Sequence, residues 1–359
     1  SDAEIKLEQV RQDSIAAAKN GEVANQDTTK QVLQVDSTAL AKPFGAAKLG
    51  SEELVTLEND ILKIDLTTKG GKVKNVLLKG EENFDGSALN IIEGDNNKFG
   101  FIFKAAGENI YTNDLLFSVV NKTAKSATLR LSYKADQYLE YTYTLTDGHN
   151  VALNVNAVGI QNLVDVQQKS LILDWETTIL QKEQNIKSER EKSTIFFKDA
   201  EANIDYLSET SDDEEKLDES KLDWIAFKQH FFSSILSSKQ KFENTNLVTK
   251  IATQDGVVKT FKATAELGFN AQANNHYEFN YFFGPNKYNT LKAEGQSYDK
   301  LINMGWGPIG WINRFLTVPL FDWLDGYALS YGIVILILTL LLKGAMFPLT
   351  RKSYLSMAK

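Results

Sequence analysis

The strongest candidate for chemistry in this chain is a lysine set in its most apolar stretch. Residues 329–349 contain a single charge, Lys343, and a charge held at depth in hydrocarbon is costly enough that it normally meets a partner or water. At about 1.5 Å of helix rise per residue, Lys343 lies about 21 Å from residue 329 and about 9 Å from residue 349. Two readings are open. The stem snorkels towards the nearer headgroups, or the ammonium faces a wet cavity shared with other helices and offers positive charge to a polar substrate. Gly344 beside it would permit close helix approach, and Pro348 would bend or end the helix. The three histidines form no acid-base constellation: His149 sits in an Asp-Gly turn, His230 in an aromatic strand region and His276 beside asparagines. Each is read as structural. Cysteine is absent, which excludes a disulfide framework, a thiolate zinc site and a cysteine nucleophile. With no clustered histidines and carboxylates and no glycine-rich phosphate loop, no metal and no nucleotide cofactor is expected.

Helices must position these residues. The 21 residues of 329–349 reach about 30 Å as a helix, the thickness of a bilayer hydrocarbon core, which predicts a transmembrane helix over 329–350. Arg351, Lys352 and Lys359 follow it, whereas Asp322 and Asp325 precede it. The positive-inside rule then puts 351–359 in the cytoplasm and residues 1–330 outside. Upstream, Ile309, Ile312, Leu316, Leu320 and Trp323 recur at spacings of three and four and predict an amphipathic helix over 305–328. Asn313, Arg314 and Thr317 share another of its faces. Trp306, Trp311 and Trp323, three of the five tryptophans, suit a membrane-water boundary. Pro319 is expected to kink or restart this helix.

The remainder reads as β structure. Of the five prolines, none falls between Pro43 and Pro285, and proline is confined to sheet edges and bulges, so the gap marks a continuous sheet domain over 51–285. Leu62, Ile64 and Leu66 alternate with polar neighbours before a Lys69-Gly70-Gly71-Lys72 turn. Tyr141, Tyr143 and Leu145 alternate with threonines, Asp147-Gly148 turns, and Val151, Leu153 and Val155 return. Residues 129–133, 257–265 and 277–283 repeat the pattern, and many short antiparallel strands imply a sandwich or barrel. Residues 1–50 read as a flexible tether, with at most a marginal helix around Ile5, Val10 and Ile15. The acidic run 208–220 reads as a solvated mobile loop, and residues 224–232 as a core strand with its flanks. After Pro285, Tyr288, Leu291, Tyr298, Leu301 and Ile302 form an apolar stripe broken at Gly295, a linker helix over 286–304.

The charge balance supports the same division. The chain has 359 residues, 43% of them hydrophobic, with 39 basic and 47 acidic side chains for a net charge of −8. That excludes disorder throughout and argues against a nucleic-acid partner. The average hides two regions: residues 1–330 hold 35 basic and 47 acidic residues, and residues 331–359 hold four basic and no acidic ones. An acidic body is joined to an apolar, basic end.

Tyr331-Gly332 through Leu342-Lys343-Gly344-Ala345-Met346-Phe347-Pro348-Leu349-Thr350, continuing to Ser356-Met357-Ala358-Lys359, resembles the second transmembrane helix of the YidC family of membrane protein insertases, in its Gram-negative form. Trp306 to Trp323 is similar to that family's periplasmic interfacial helix. Phe283-Gly284-Pro285, Trp224 to Phe232 and Thr67 to Gly71 add support, so the resemblance covers residues from about 52 to the end. It implies a mainly β, galactose-mutarotase-like β-supersandwich in the periplasm, a linker, and an insertase core whose later helices lie beyond this sequence. In that family an arginine lines a hydrophilic groove open to the cytoplasm and to lipid, and Lys343 occupies the matching position. An ammonium keeps the charge but not the bidentate grip of a guanidinium.

Three functions compete at this stage. The first is an insertase or chaperone of the bacterial inner membrane, without covalent chemistry, whose partners are nascent membrane proteins, the lipid bilayer, and the Sec translocon with its accessory subunits. The second is a membrane-anchored periplasmic carbohydrate-binding or sugar-modifying protein, for which Trp175-Glu176 and Tyr111 could form a platform. The third makes the large domain a docking module for the translocon's accessory subunits.

Overall fold

Strand Asn150–Val158 buries every second side chain, Val151, Leu153, Val155 and Ala157, and leaves the others partly exposed. The same alternation runs through Gln137–Leu145, its hairpin partner across the Asp147-Gly148 turn, as expected of a sheet covered on one face. The computed structural model describes residues 42–165, 167–327 and 330–357. The expected marginal helix near the N-terminus lies outside them. Side chains of residues 308, 325, 345, 346 and 348–357 are also outside the description.

Four strands in sequence order, Leu54–Glu58, Leu62–Thr67, Lys72–Glu82 and Ala88–Ile92, make an antiparallel meander, and the later strands join a fourteen-stranded sheet. The large sheet folds over itself through the 20-residue strand Phe232–Ile251. Its first half pairs with Leu222–Lys228 and Asn275–Pro285, and its second half with Asp213–Leu217 and Val257–Gly268. At the corner Lys241 and Asn244 take positive φ values of 65° and 43°, and the register shifts between Glu243 and Asn246. A bulge of this kind bends a strand from one layer into the other.

The two layers meet through aromatic side chains. Phe99 packs on Tyr281 at 5.6 Å between ring centroids, Phe101 on Tyr141 at 5.9 Å, and Trp175 stacks on Phe227 at 3.7 Å. Geometry of this type adds to the transfer free energy of large buried rings. The Gly70-Gly71 turn is pinned inside the fold: the Tyr143 hydroxyl donates to the Gly71 carbonyl at 2.8 Å, and a Cβ on Gly71, whose φ is +63°, would lie 2.8 Å from the Phe117 ring. Asn59 ties the meander to the Asp147 hairpin by donating to the carbonyls of Thr146 and Gly148 at 2.6 and 2.9 Å.

Three expectations change. The end of the supposed tether belongs to the domain, because Phe44 is buried against Phe103 and Tyr133 and the Leu116 amide donates to the Ala47 carbonyl at 2.7 Å. The acidic run 208–220 is not a loop throughout: Asp213–Leu217 is a strand paired with Phe232–Ile251. Asp212 accepts from the Ile251 amide of the paired strand and Asp213 from the Ser208 amide in the preceding turn, both at 2.7 Å, so carboxylates that looked solvated satisfy backbone donors. After Pro285 the chain forms two short helical turns, Tyr288–Ala293 and Tyr298–Leu301, separated at Gly295 with φ +69°. Rather than leaving the sheet, they lay Leu291, Tyr298 and Leu301 onto Trp224, Ala226, Ile235 and Phe282.

Candidate functional site

The functional end is built by three consecutive helical stretches, Gly307–Ile312, the wider π-turn Asn313–Thr317, and Val318–Asp325. Pro319 has no amide hydrogen to give the preceding turn, and the π-turn directly before it absorbs that missing bond, so the segment continues without a break. The wide turn also shifts the phase of the apolar face. Ile309, Ile312 and Leu316 are exposed, as are Trp306, Trp311 and Trp323, with Trp306 reaching 78% exposure. Leu320 alone of the predicted stripe turns inward, packing with Phe321 and Leu324 on Val334, Ile337 and Leu338 of the long helix Tyr331–Met357. Phe321 and Tyr331 stack at 6.2 Å, nearly parallel.

Aromatic pairs line the outer surface. Trp311 lies 5.5 Å from Phe315 and Trp323 lies 5.3 Å from Tyr327. A protein in water seldom exposes so many large rings together, and such a patch marks a membrane or partner surface. The segment is also fastened to the stretch that links it to the β domain. Asn313 donates to the Met304 carbonyl at 2.9 Å, and Asn289 hydrogen-bonds Asp322.

On the long helix Ile333, Ile335, Leu336, Leu340 and Leu341 are exposed, and so is Lys343. Thr339 is satisfied internally through the Ile335 carbonyl at 2.8 Å. A Cβ on Gly344 would meet nothing within 4 Å. Pro348 falls inside a helix that runs to Met357, but its side chain lies outside the description. Among the described residues no helix is long and apolar enough to cross a membrane; the last third of the predicted span has its side chains mostly outside that set.

The other candidates separate. His149 Nδ1 lies 3.0 Å from the Phe283 carbonyl, and burial lowers its pKa. His276 bonds Asn156 at 2.7 Å. His230 stacks on Phe231 at 3.9 Å, and burial followed by the charges of Lys228 and Lys192 lowers its pKa. The sugar platform is not assembled, since Trp175 is 1% exposed within the core whereas Tyr111 lies on the surface. Glu176 faces Lys98 and Lys262 at 3.3 and 3.8 Å. Three basic residues without a sequence signal of their own, Lys192, Lys228 and Lys300, converge with Arg314 and His230 on one cavity. The five are spread over more than 120 positions, and only the lysine and histidine embedded in the aromatic run 224–232 hinted at them.

An antiparallel β-sandwich carrying a tryptophan-rich segment with an exposed aromatic surface and a long apolar helix defines the class: a sheet-rich domain with an apolar helical end. Residues 54–323 match the family model for the YidC periplasmic domain. The chain belongs to the YidC family, and its β-sandwich is the family's periplasmic domain. It is 33% identical to a membrane protein insertase YidC of Phocaeicola vulgatus over 97% of this chain and 58% of that protein. It is also 33% identical to one of Bacteroides fragilis, over 100% and 60% respectively. The chain thus spans under two thirds of the length of these curated relatives. Among solved structures, a galactose mutarotase-like protein from Lactobacillus casei aligns with a TM-score of 0.44 and 13% identity, covering 65% of this chain and 100% of that one.

Proposed function

We propose that the complete protein is an insertase and folding chaperone for inner-membrane proteins, acting without covalent chemistry. The family membership of this chain and the name carried by its relatives support the reading. The observation that carries it is the exposed apolar surface of residues 331–344, interrupted among the described side chains by one exposed cation, Lys343. The stretch 329–350 spans the bilayer with residues 1–330 in the periplasm, and Trp306, Trp311 and Trp323 sit at the periplasmic interface. Gly344 and Pro348 shape its packing against helices supplied by the rest of the protein. Lys343 lines a wet groove, where it receives the polar flank of a nascent segment and shortens that flank's path through hydrocarbon. The apolar stretch then slides into lipid, driven by burial worth about 25 cal/mol per Å² removed from water. Nascent chains arrive directly or from the Sec translocon.

Replacing Lys343 with alanine in the full-length protein tests this. Insertion of clients with acidic flanks should fall, and clients with neutral flanks should be less affected. Unchanged insertion of both in living cells would remove Lys343 from the mechanism.

A further inference from the structure

The cavity of about 620 Å³ at the junction of the sandwich and the membrane-facing segment has a charge opposite to that of the body above it. Lys192, Lys228, Lys300, Arg314 and His230 line it against one carboxylate, Glu209, in a chain whose net charge is −8. Lys228 is 8% exposed and gives its ammonium to the Lys192 carbonyl at 2.6 Å. Among the described residues neither Lys192 nor Lys228 has a carboxylate within ion-pair distance, and Lys300 has only the distant Asp299 at 4.0 Å. Two buried nitrogens, Arg314 Nε and His230 Nδ1, have no hydrogen-bond partner there. Burying unpaired donors and cations is unfavourable unless something satisfies them. Arg314 comes from the same helical segment as Trp311 and Phe315, whose rings are exposed, so the cavity opens at the depth of the proposed interface.

We propose that this cavity binds a phosphate oxyanion, with Arg314 and Lys300 gripping the oxygens from the membrane side and Lys228 and His230 from the domain side. A guanidinium and ammonium groups around one site provide the charge-assisted hydrogen bonds that phosphate oxygens take up. Phe196, Phe231 and Ile302 form apolar walls beside them, suited to the glycerol and upper acyl carbons of an anionic phospholipid. A free phosphate would use the same cations without the walls. The site is independent of Lys343, and its lipid reading rests on the interfacial placement proposed above.

The test titrates the full 359-residue chain, held in neutral detergent, with dihexanoyl phosphatidylglycerol, inorganic phosphate and a glutamate-rich peptide, each followed by calorimetry. Saturable binding of a phosphate probe is expected. Arg314→Gln should weaken it at least about tenfold, as the loss of one charge-assisted bond requires. Lys300→Gln, at a half-exposed side chain, is the second variant and should weaken it in the same direction without disturbing the fold. Binding of the phosphatidylglycerol that equimolar inorganic phosphate does not displace assigns the site to a lipid headgroup. Displacement assigns it to free phosphate, and both results uphold the phosphate site. The proposal is overturned if neither phosphate probe binds saturably, if Lys300→Gln and Arg314→Gln both bind like the unaltered chain, or if only the acidic peptide binds.

Discussion

The ammonium of Lys228, a residue only 8% exposed, donates to the backbone carbonyl of Lys192 at 2.6 Å beside the aromatic ring of Phe196. Burial, the dominant influence, presses its pKa down from 10.5 to about 8. Lys259 nearby, giving its ammonium to the carbonyls of Ser193 and Glu209 at 2.8 and 2.9 Å, is also brought to about 8 by burial. Charge is therefore held where the hydrogen-bond partners are backbone oxygens.

Stability should consequently rise with pH between about 8 and 10.5 through these two groups. In that window the unfolded chain binds more protons than the folded one, and below pH 8 the cost of burying the charges is present in full. Each lysine contributes at most about 1.4 kcal/mol per pH unit. Urea midpoints of Lys228→Met measured from pH 7 to 10 should show a flatter pH dependence than the unaltered chain. Parallel curves would mean that Lys228 keeps an ordinary pKa.

Trp175→Ala should destabilise the β domain by about 3–5 kcal/mol, because it opens a cavity where the indole stacks on Phe227 in the sandwich core. Tyr111→Ala, at a surface ring 47% exposed, should stay within about 0.5 kcal/mol. Chemical denaturation distinguishes the two. Similar small losses at both positions would contradict the core assignment of Trp175.

Gly71→Ala combines a left-handed backbone with a Cβ against the Phe117 ring, and should cost about 2 kcal/mol or more. Tyr143→Phe removes only the hydroxyl that donates to the Gly71 carbonyl, for a loss of about 1–3 kcal/mol that includes the carbonyl left without its donor. Thermal unfolding of both variants should rank them in that order or make them equal. A neutral Gly71→Ala would show that the turn relaxes freely.

At the end proposed to face the membrane, Trp311 is exposed whereas Leu324 is buried against the long helix. Trp311→Ser should lower partitioning into lipid vesicles several-fold and leave the unfolding transition of the β domain in place. Leu324→Ala and Val334→Ala share one cluster, and their effects on the stability of the helix pair in micelles should be non-additive. Strict additivity would indicate that the two helices do not pack through these residues.

Much of this molecule is written in local pattern. The alternation at Leu62, Ile64 and Leu66 and at Tyr141, Tyr143 and Leu145 determined strands because the pleat has period two, and the Asp147-Gly148 pair determined their turn. The helical stretches after Gly305 and the apolar helix from Tyr331 were equally legible from spacing and hydrophobicity. Spacing could not show that Asp213–Leu217 is a strand, because its pairing partner lies over 25 residues away. Nor could it show that Phe44 belongs to the core, since a lone ring carries no period. The inward turn of Leu320 depended on a π-turn that no residue spacing encodes. The basic cavity depended entirely on the fold, which brings Lys192, Lys228, Lys300 and Arg314 together from four separate stretches of the chain. Local sequence determined which residues alternate and where the chain turns; long-range packing decided which of the charges would be left facing one another.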